Sequence, residues 1–86
     1  MNRTNVQPLK LHLAKDYFLR GVLRSYWLER VTMGDGWFIC LHTLDASYLY
    51  LATARGEVRE FKSLDTAVGV LEDIGFKVDI LEMRGR

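Results

Sequence analysis

The stretch Ser63-Leu-Asp-Thr-Ala-Val-Gly-Val-Leu-Glu-Asp-Ile-Gly-Phe76 carries the start, body and end of a helix. Ser63 offers a hydroxyl that accepts from an otherwise unpaired amide in the first turn, and Asp65 places negative charge where the helix dipole favours it. Leu64, Ala67, Val68, Leu71 and Ile74 recur at helical spacing and form one apolar stripe, with Thr66, Glu72 and Asp73 outside it. Gly75 suits the left-handed residue that ends a helix, and Phe76 is placed to fold back on the last turn.

What precedes this helix reads as strands. Val22 to Val31 is the first clear one, with Val22, Arg24, Tyr26, Leu28 and Arg30 on one face and Leu23, Ser25, Trp27, Glu29 and Val31 on the other. Gly34, Asp35 and Gly36 are expected to supply the positive φ of a tight reversal into Trp37 to Leu44. Asp45, Ala46 and Ser47 make the next turn, followed by Tyr48 to Ala54. Trp37, Ile39 and Leu41 alternate with Phe38, Cys40 and His42, and Tyr48 and Tyr50 with Leu49 and Leu51. Both faces are therefore apolar, so one calls for the helix and the other for a partner. Arg55 and Gly56 turn the chain into Glu57 to Phe61, a short strand whose charges suit a sheet edge. After the helix, Lys77 to Leu81 is expected to form the final strand.

The opening residues admit two readings. Leu9, Leu11 and Leu13 alternate as in a strand, while Leu9, Leu13, Tyr17 and Arg20 fit one helical stripe after Pro8. An extended arm over residues 8–14, running into irregular or strand structure through Leu19, is the form expected. Residues 1–7 and 83–86 are expected to be frayed. The whole is expected to be one α+β domain over residues 1–86: an antiparallel sheet of four or five strands, one helix across one face, in the order β-β-β-β-α-β.

Eighty-six residues, 49% of them hydrophobic and 27% charged, describe an ordinary small globular chain and exclude a two-domain enzyme. One cysteine excludes a disulfide framework, so the core relies on packing and on a second subunit, and a homodimer is expected. No apolar run reaches the length of a membrane span and the start lacks a signal-peptide core, from which a cytoplasmic, membrane-free protein is expected. The formal net charge of +1 hides an asymmetry: Arg3, Lys10, Lys15, Arg20, Arg24 and Arg30 face only Asp16 and Glu29 in residues 1–30, whereas acids exceed bases thereafter.

Catalytic and metal chemistry find little footing. His12, Cys40 and His42 offer one close pair on one strand face, without CxxC or HxxxH spacing, so neither a metal site nor a cofactor is expected. A thiol between Ile39 and Leu41 reads as buried and inert rather than as a nucleophile. Glu72 and Asp73 are solvating charges, and the Gly34–Gly36 turn leads into a strand rather than the helix a phosphate loop needs. No enzymatic activity and no small-molecule substrate are expected.

The remaining constellation is aromatic and basic: Arg20, Arg24, Tyr26 and Arg30, Tyr48 and Tyr50, and Arg55, Arg59 and Lys62. Flat rings that stack on bases, with cations that follow phosphates, suit single-stranded nucleic acid on a sheet face. Trp27 and Trp37 read instead as core or interface. Arg24-Ser-Tyr-Trp27, Gly36-Trp-Phe38 and Arg59-Glu-Phe-Lys-Ser-Leu-Asp65, in a strand-strand-strand-strand-helix order over residues 22–75, resemble the single-stranded-DNA-binding transcriptional coactivators of the positive-cofactor type and the Whirly domains. The strand expected after the helix departs from the coactivator arrangement. Arg59 to Asp65 with Ile74-Gly-Phe76 is also similar to small proteins encoded on plasmids and integrative conjugative elements. The resemblances imply non-catalytic binding of single-stranded DNA, accessory to mobile-element maintenance, transfer or regulation. The alternative is a protein-interaction module that uses an apolar sheet face or an edge strand.

Overall fold

In the computed structural model, which describes residues 6–31, 34–78 and 83–84, the elements run β1 (Val6–Lys10), α1 (Leu11–Leu19), β2 (Leu23–Arg30), β3 (Trp37–Thr43), β4 (Tyr48–Ala52), β5 (Glu60–Phe61), α2 (Leu64–Ile74) and β6 (Met83–Arg84). The spatial order is β1-β4-β3-β2-β6, with β5 paired to the start of β3. The α+β class stands. The sheet, however, is mixed rather than antiparallel, and two helices rather than one belong to it. The hairpin-joined strands β2, β3 and β4 pair antiparallel, while β1 lies parallel to β4 and β6 parallel to β2. A helix follows β1 and another precedes β6, and a strand reached through a helix can run parallel to a neighbour that no tight turn joins to it.

The first helix corrects the expectation of an extended arm. Leu9 is buried in β1, but from Leu11 the chain is helical and turns Leu11, Ala14, Tyr17 and Phe18 toward the core. Leu13, which continued the apparent alternation, is 39% exposed. Its period of two was a coincidence of leucine spacing, overridden by the tertiary demand for apolar groups on one helix face. Gly21, at φ 75°, closes the helix: its N–H donates to the Phe18 carbonyl at 3.0 Å. The expected fraying also changes, because Val6 and Gln7 belong to β1 and Met83 and Arg84 to β6. Of the expected final strand, Lys77 and Val78 are not in a ladder, and 79–81 lie outside the described residues.

The second helix follows its sequence signals closely. Ser63 is extended, and its Oγ accepts from the Thr66 N–H at 3.4 Å. Ala67, Leu71 and Ile74 are buried, while Glu72 and Asp73 face water. After the helix, the Gly75 and Phe76 amides both donate to the Leu71 carbonyl, and the Phe76 ring meets Phe18 at 4.9 Å and Tyr26 at 4.8 Å. Gly75 has φ 135°, and a β-carbon there would lie 2.5 Å from the Phe18 ring. Gly75→Ala therefore meets backbone strain and an aromatic clash together. It is expected to cost about 1–3 kcal/mol, read as a lower midpoint in thermal unfolding.

Both helices cover the same sheet face, and Lys15 Nζ bridges α1 to Asp73 of α2 at 3.1 Å. This exposed pair orients more than it stabilises. The core between helices and sheet holds Leu28, Ile39, Leu41 and Leu51, all fully buried, with Leu9 and Phe61 beside them. The turn before β3 is also corrected: neither Gly34 nor Gly36 has positive φ. Gly36 is needed for space, since a β-carbon there would sit 2.6 Å from the Phe61 carbonyl oxygen. The turn after β3 forms as expected, with Thr43 donating its hydroxyl proton to Asp45 and accepting from the Ser47 N–H at 3.1 Å. The Thr43 hydroxyl, aided by Ser47, holds the Asp45 carboxyl below its ordinary pKa. Thr53 to Glu57 form a further turn, so β4 stops at Ala52 and only Glu60–Phe61 of the expected Glu57–Phe61 strand enters the ladder. No helix among the described residues is long and apolar enough to cross a membrane.

Candidate nucleic-acid interface

Strand alternation sends every second side chain of the sheet away from the helices. On β2 these are Ser25, Trp27 and Glu29. They pair in register with His42, Cys40 and Phe38 of β3, and Cys40 and His42 pair onward with Tyr50 and Tyr48 of β4. Pro8 and Lys10 of β1 lie opposite Tyr50 and Ala52 on the same face. Five rings from three strands are thus gathered on a face that neither helix covers.

The rings are ordered against one another. His42 stacks on Tyr48 with centroids 4.9 Å apart and planes 18° from parallel. Trp27 meets Tyr48 edge-on at 5.2 Å, and Phe38 lies 5.5 Å from Tyr50. Contacts of this kind contribute about 0.5–1.5 kcal/mol each beyond the area they bury, so the face is preorganised rather than a loose set of side chains. The Tyr50 hydroxyl donates to Glu29 Oε1 at 2.8 Å across the sheet. Tyr48 is the outermost ring, 36% exposed, whereas Trp27 is 8% exposed and Cys40 only 1%. The expectation of a buried Cys40 is met. Among the described residues no group of three or more His, Cys, Asp and Glu side chains is placed to hold a metal ion.

The residues expected to form the site are divided by the fold. Tyr48 and Tyr50 lie on the aromatic face. Tyr26 lies on the opposite one, against Phe76 and beside the core, so it cannot share a strand with the other two tyrosines. Arg30 is exposed at the end of β2 with its guanidinium 5.2 Å from the Trp37 ring centroid, on the helix side. Arg24 is the extra residue at a register shift between Leu23 and Ser25, which turns Leu23 toward the core and leaves Arg24 exposed. Arg20 ends α1 and pairs with Asp16 at 2.9 Å, and Lys62 pairs with Glu60 at 3.2 Å. Arg55 is exposed in the Thr53–Glu57 turn, while Arg59 lies over the Phe61 ring at 4.5 Å. The nine residues do not make one surface.

Sequence reasoning passed over Trp27, Phe38 and His42 as parts of a site. Their parity along the strands was legible, but joining them to Tyr48 and Tyr50 required the register of two hairpins. The arginines of β2 suggested that its Tyr26 face was the exposed one. In the fold those arginines occupy the strand's two ends, where their charged groups reach solvent past the helices, so Leu28 and Tyr26 are free to face the core.

Comparison with protein-family models, with curated proteins and with solved structures finds no match, so the resemblances noted above rest on the quoted residues alone.

Proposed function

We propose that this chain binds single-stranded nucleic acid, with DNA favoured, through the aromatic sheet face and without making or breaking bonds. The observation that carries the reading is the gathering of Trp27, Phe38, His42, Tyr48 and Tyr50 on the one face that neither helix covers. Bases stack on such rings whatever their identity, since every base has a π face. Tyr48 is the most accessible ring, and Lys10, at the end of β1 on the same face, supplies a cation for a phosphate. The wider role, accessory to mobile-element maintenance, transfer or regulation, rests on the resemblance of Arg59 to Asp65 and Ile74 to Phe76. Tryptophan fluorescence titration with single-stranded DNA, duplex DNA and RNA tests the binding. Single strands are expected to quench Trp27 with an affinity that falls as salt rises, because each neutralised phosphate releases counterions. Absence of binding to all three at low salt would end this reading.

A second reading is favoured by one observation: among the described side chains, the charged groups on the aromatic face are Lys10 and Glu29, and Glu29 is held by Tyr50. A nearly neutral, ring-lined surface also suits a second copy of the chain, closing a two-fold dimer. Sedimentation equilibrium separates the two. A dimer that Tyr48→Ala dissociates supports self-association through this face, and a monomer at every concentration excludes it.

A further inference from the structure

At the end of the sheet where β1 passes into α1, an open hollow of about 530 Å³ lies among Lys10, Leu11, His12, Ala52, Ala54 and Arg59. Its walls are largely apolar, and beside Thr53 its polar reach comes from three basic side chains: Lys10 and His12, where β1 passes into α1, and Arg59, the residue that follows the Val58 bridge to Ala52. Among the described residues no acidic side chain lines it. Three cations elsewhere are paired with acids, Lys15 with Asp73, Arg20 with Asp16 and Lys62 with Glu60. Lys10, His12 and Arg59 form no such pair among the described residues. Arg59 is fixed differently, its guanidinium held over the Phe61 ring while the Arg59 N–H donates to the Leu51 carbonyl at 2.9 Å. The like charges of Lys10 and Arg59 converge on one cavity, with the His12 imidazole beside them, at an electrostatic cost that an anion would relieve.

We propose that this hollow binds a phosphate monoester carried on a nucleoside-sized body. Phosphate supplies the several acceptor oxygens that one guanidinium and two further donors can share, and Arg59 has the fork geometry for two of them. The volume exceeds what an inorganic anion needs, and Leu11, Ala52 and Ala54 offer apolar wall to a sugar and base. Such a group belongs to a free mononucleotide or to the phosphorylated end of a strand. The inference does not depend on strand binding by the aromatic face, although Ala52 and Lys10 continue that face into the hollow.

The test is amide-resolved NMR titration of the full chain with adenosine monophosphate, adenosine and inorganic phosphate. Adenosine monophosphate is expected to shift Leu11, His12 and Ala52 to Ala54, with adenosine at least about tenfold weaker. Lys10→Gln and Arg59→Gln are each expected to weaken adenosine monophosphate about tenfold, in proteins whose thermal midpoints confirm the fold. Arg59→Lys, which keeps the charge and loses the fork, is expected to fall between. Equal shifts from adenosine and its monophosphate, or variants that bind as the parent does, would overturn the proposal. A parallel titration with a short oligonucleotide with and without a 5′-phosphate identifies the source. Tighter binding of the phosphorylated strand, lost in Lys10→Gln, assigns the hollow to strand ends, and no difference assigns it to free mononucleotide. Failure of both oligonucleotides removes the strand-face reading while leaving this one to the mononucleotide result.

Discussion

Replacing Leu71 by alanine is expected to lower the urea midpoint sharply, by the equivalent of about 2–5 kcal/mol. Leu71 is fully buried between α2 and the sheet, and truncation removes both its transfer energy and the packing of the cavity left behind. Stability in domains of this size is roughly 5–15 kcal/mol in total, so the single change consumes a large part of it. Leu71→Met, which preserves volume, is expected to cost less than about 1.5 kcal/mol. Glu72→Ala, one residue along on the solvent side, is expected to be near neutral. Equal shifts for Leu71→Ala and Glu72→Ala would show that α2 presents a different stripe to the core.

The second large effect separates two tyrosines that strand chemistry alone makes look alike. Tyr48→Ala is expected to weaken single-strand binding by about 1–3 kcal/mol, the usual worth of one stacked base. Its effect on the thermal midpoint is expected to be modest, because the ring sits at the outer edge of the aromatic face. Tyr26→Ala is expected to show the reverse. Its ring lies against Phe76, which also meets Phe18, so its loss loosens the joint between both helices and the sheet while the aromatic face stays intact. Binding unchanged in Tyr48→Ala but reduced in a folded Tyr26→Ala would place the strand on the wrong side of the sheet and exclude the proposed surface.

That pair of residues also marks the boundary between local and tertiary information. The α2 helix was legible because its determinants are local: Ser63 caps through its own third neighbour, the apolar stripe repeats within three turns, and Gly75 ends it through its own backbone. The three hairpin strands were legible for a similar reason, since turn residues and short apolar runs lie next to each other in the chain. The first helix was not. Leu9, Leu11 and Leu13 satisfy the strand period as well as any helical one, and only burial of Ala14 and Phe18 against α2 and Phe76 decides between them. The parallel edges were equally hidden, because β1 meets β4, and β6 meets β2, over long sequence separations with no turn to announce the pairing.

For the candidate site, the amino-acid sequence by itself determined that Tyr48 and Tyr50 share a face, that Trp27 opposes Tyr26, and that the sheet has two apolar sides. Tertiary structure decided which side the helices take. The aliphatic residues Leu28, Ile39, Leu41 and Leu51 are buried against α1 and α2, and with them on that side the strand period sends Trp27, Phe38, His42, Tyr48 and Tyr50 to the other. The bulge at Arg24 then breaks that period at one end of β2, which lets Leu23 join the core without burying an arginine.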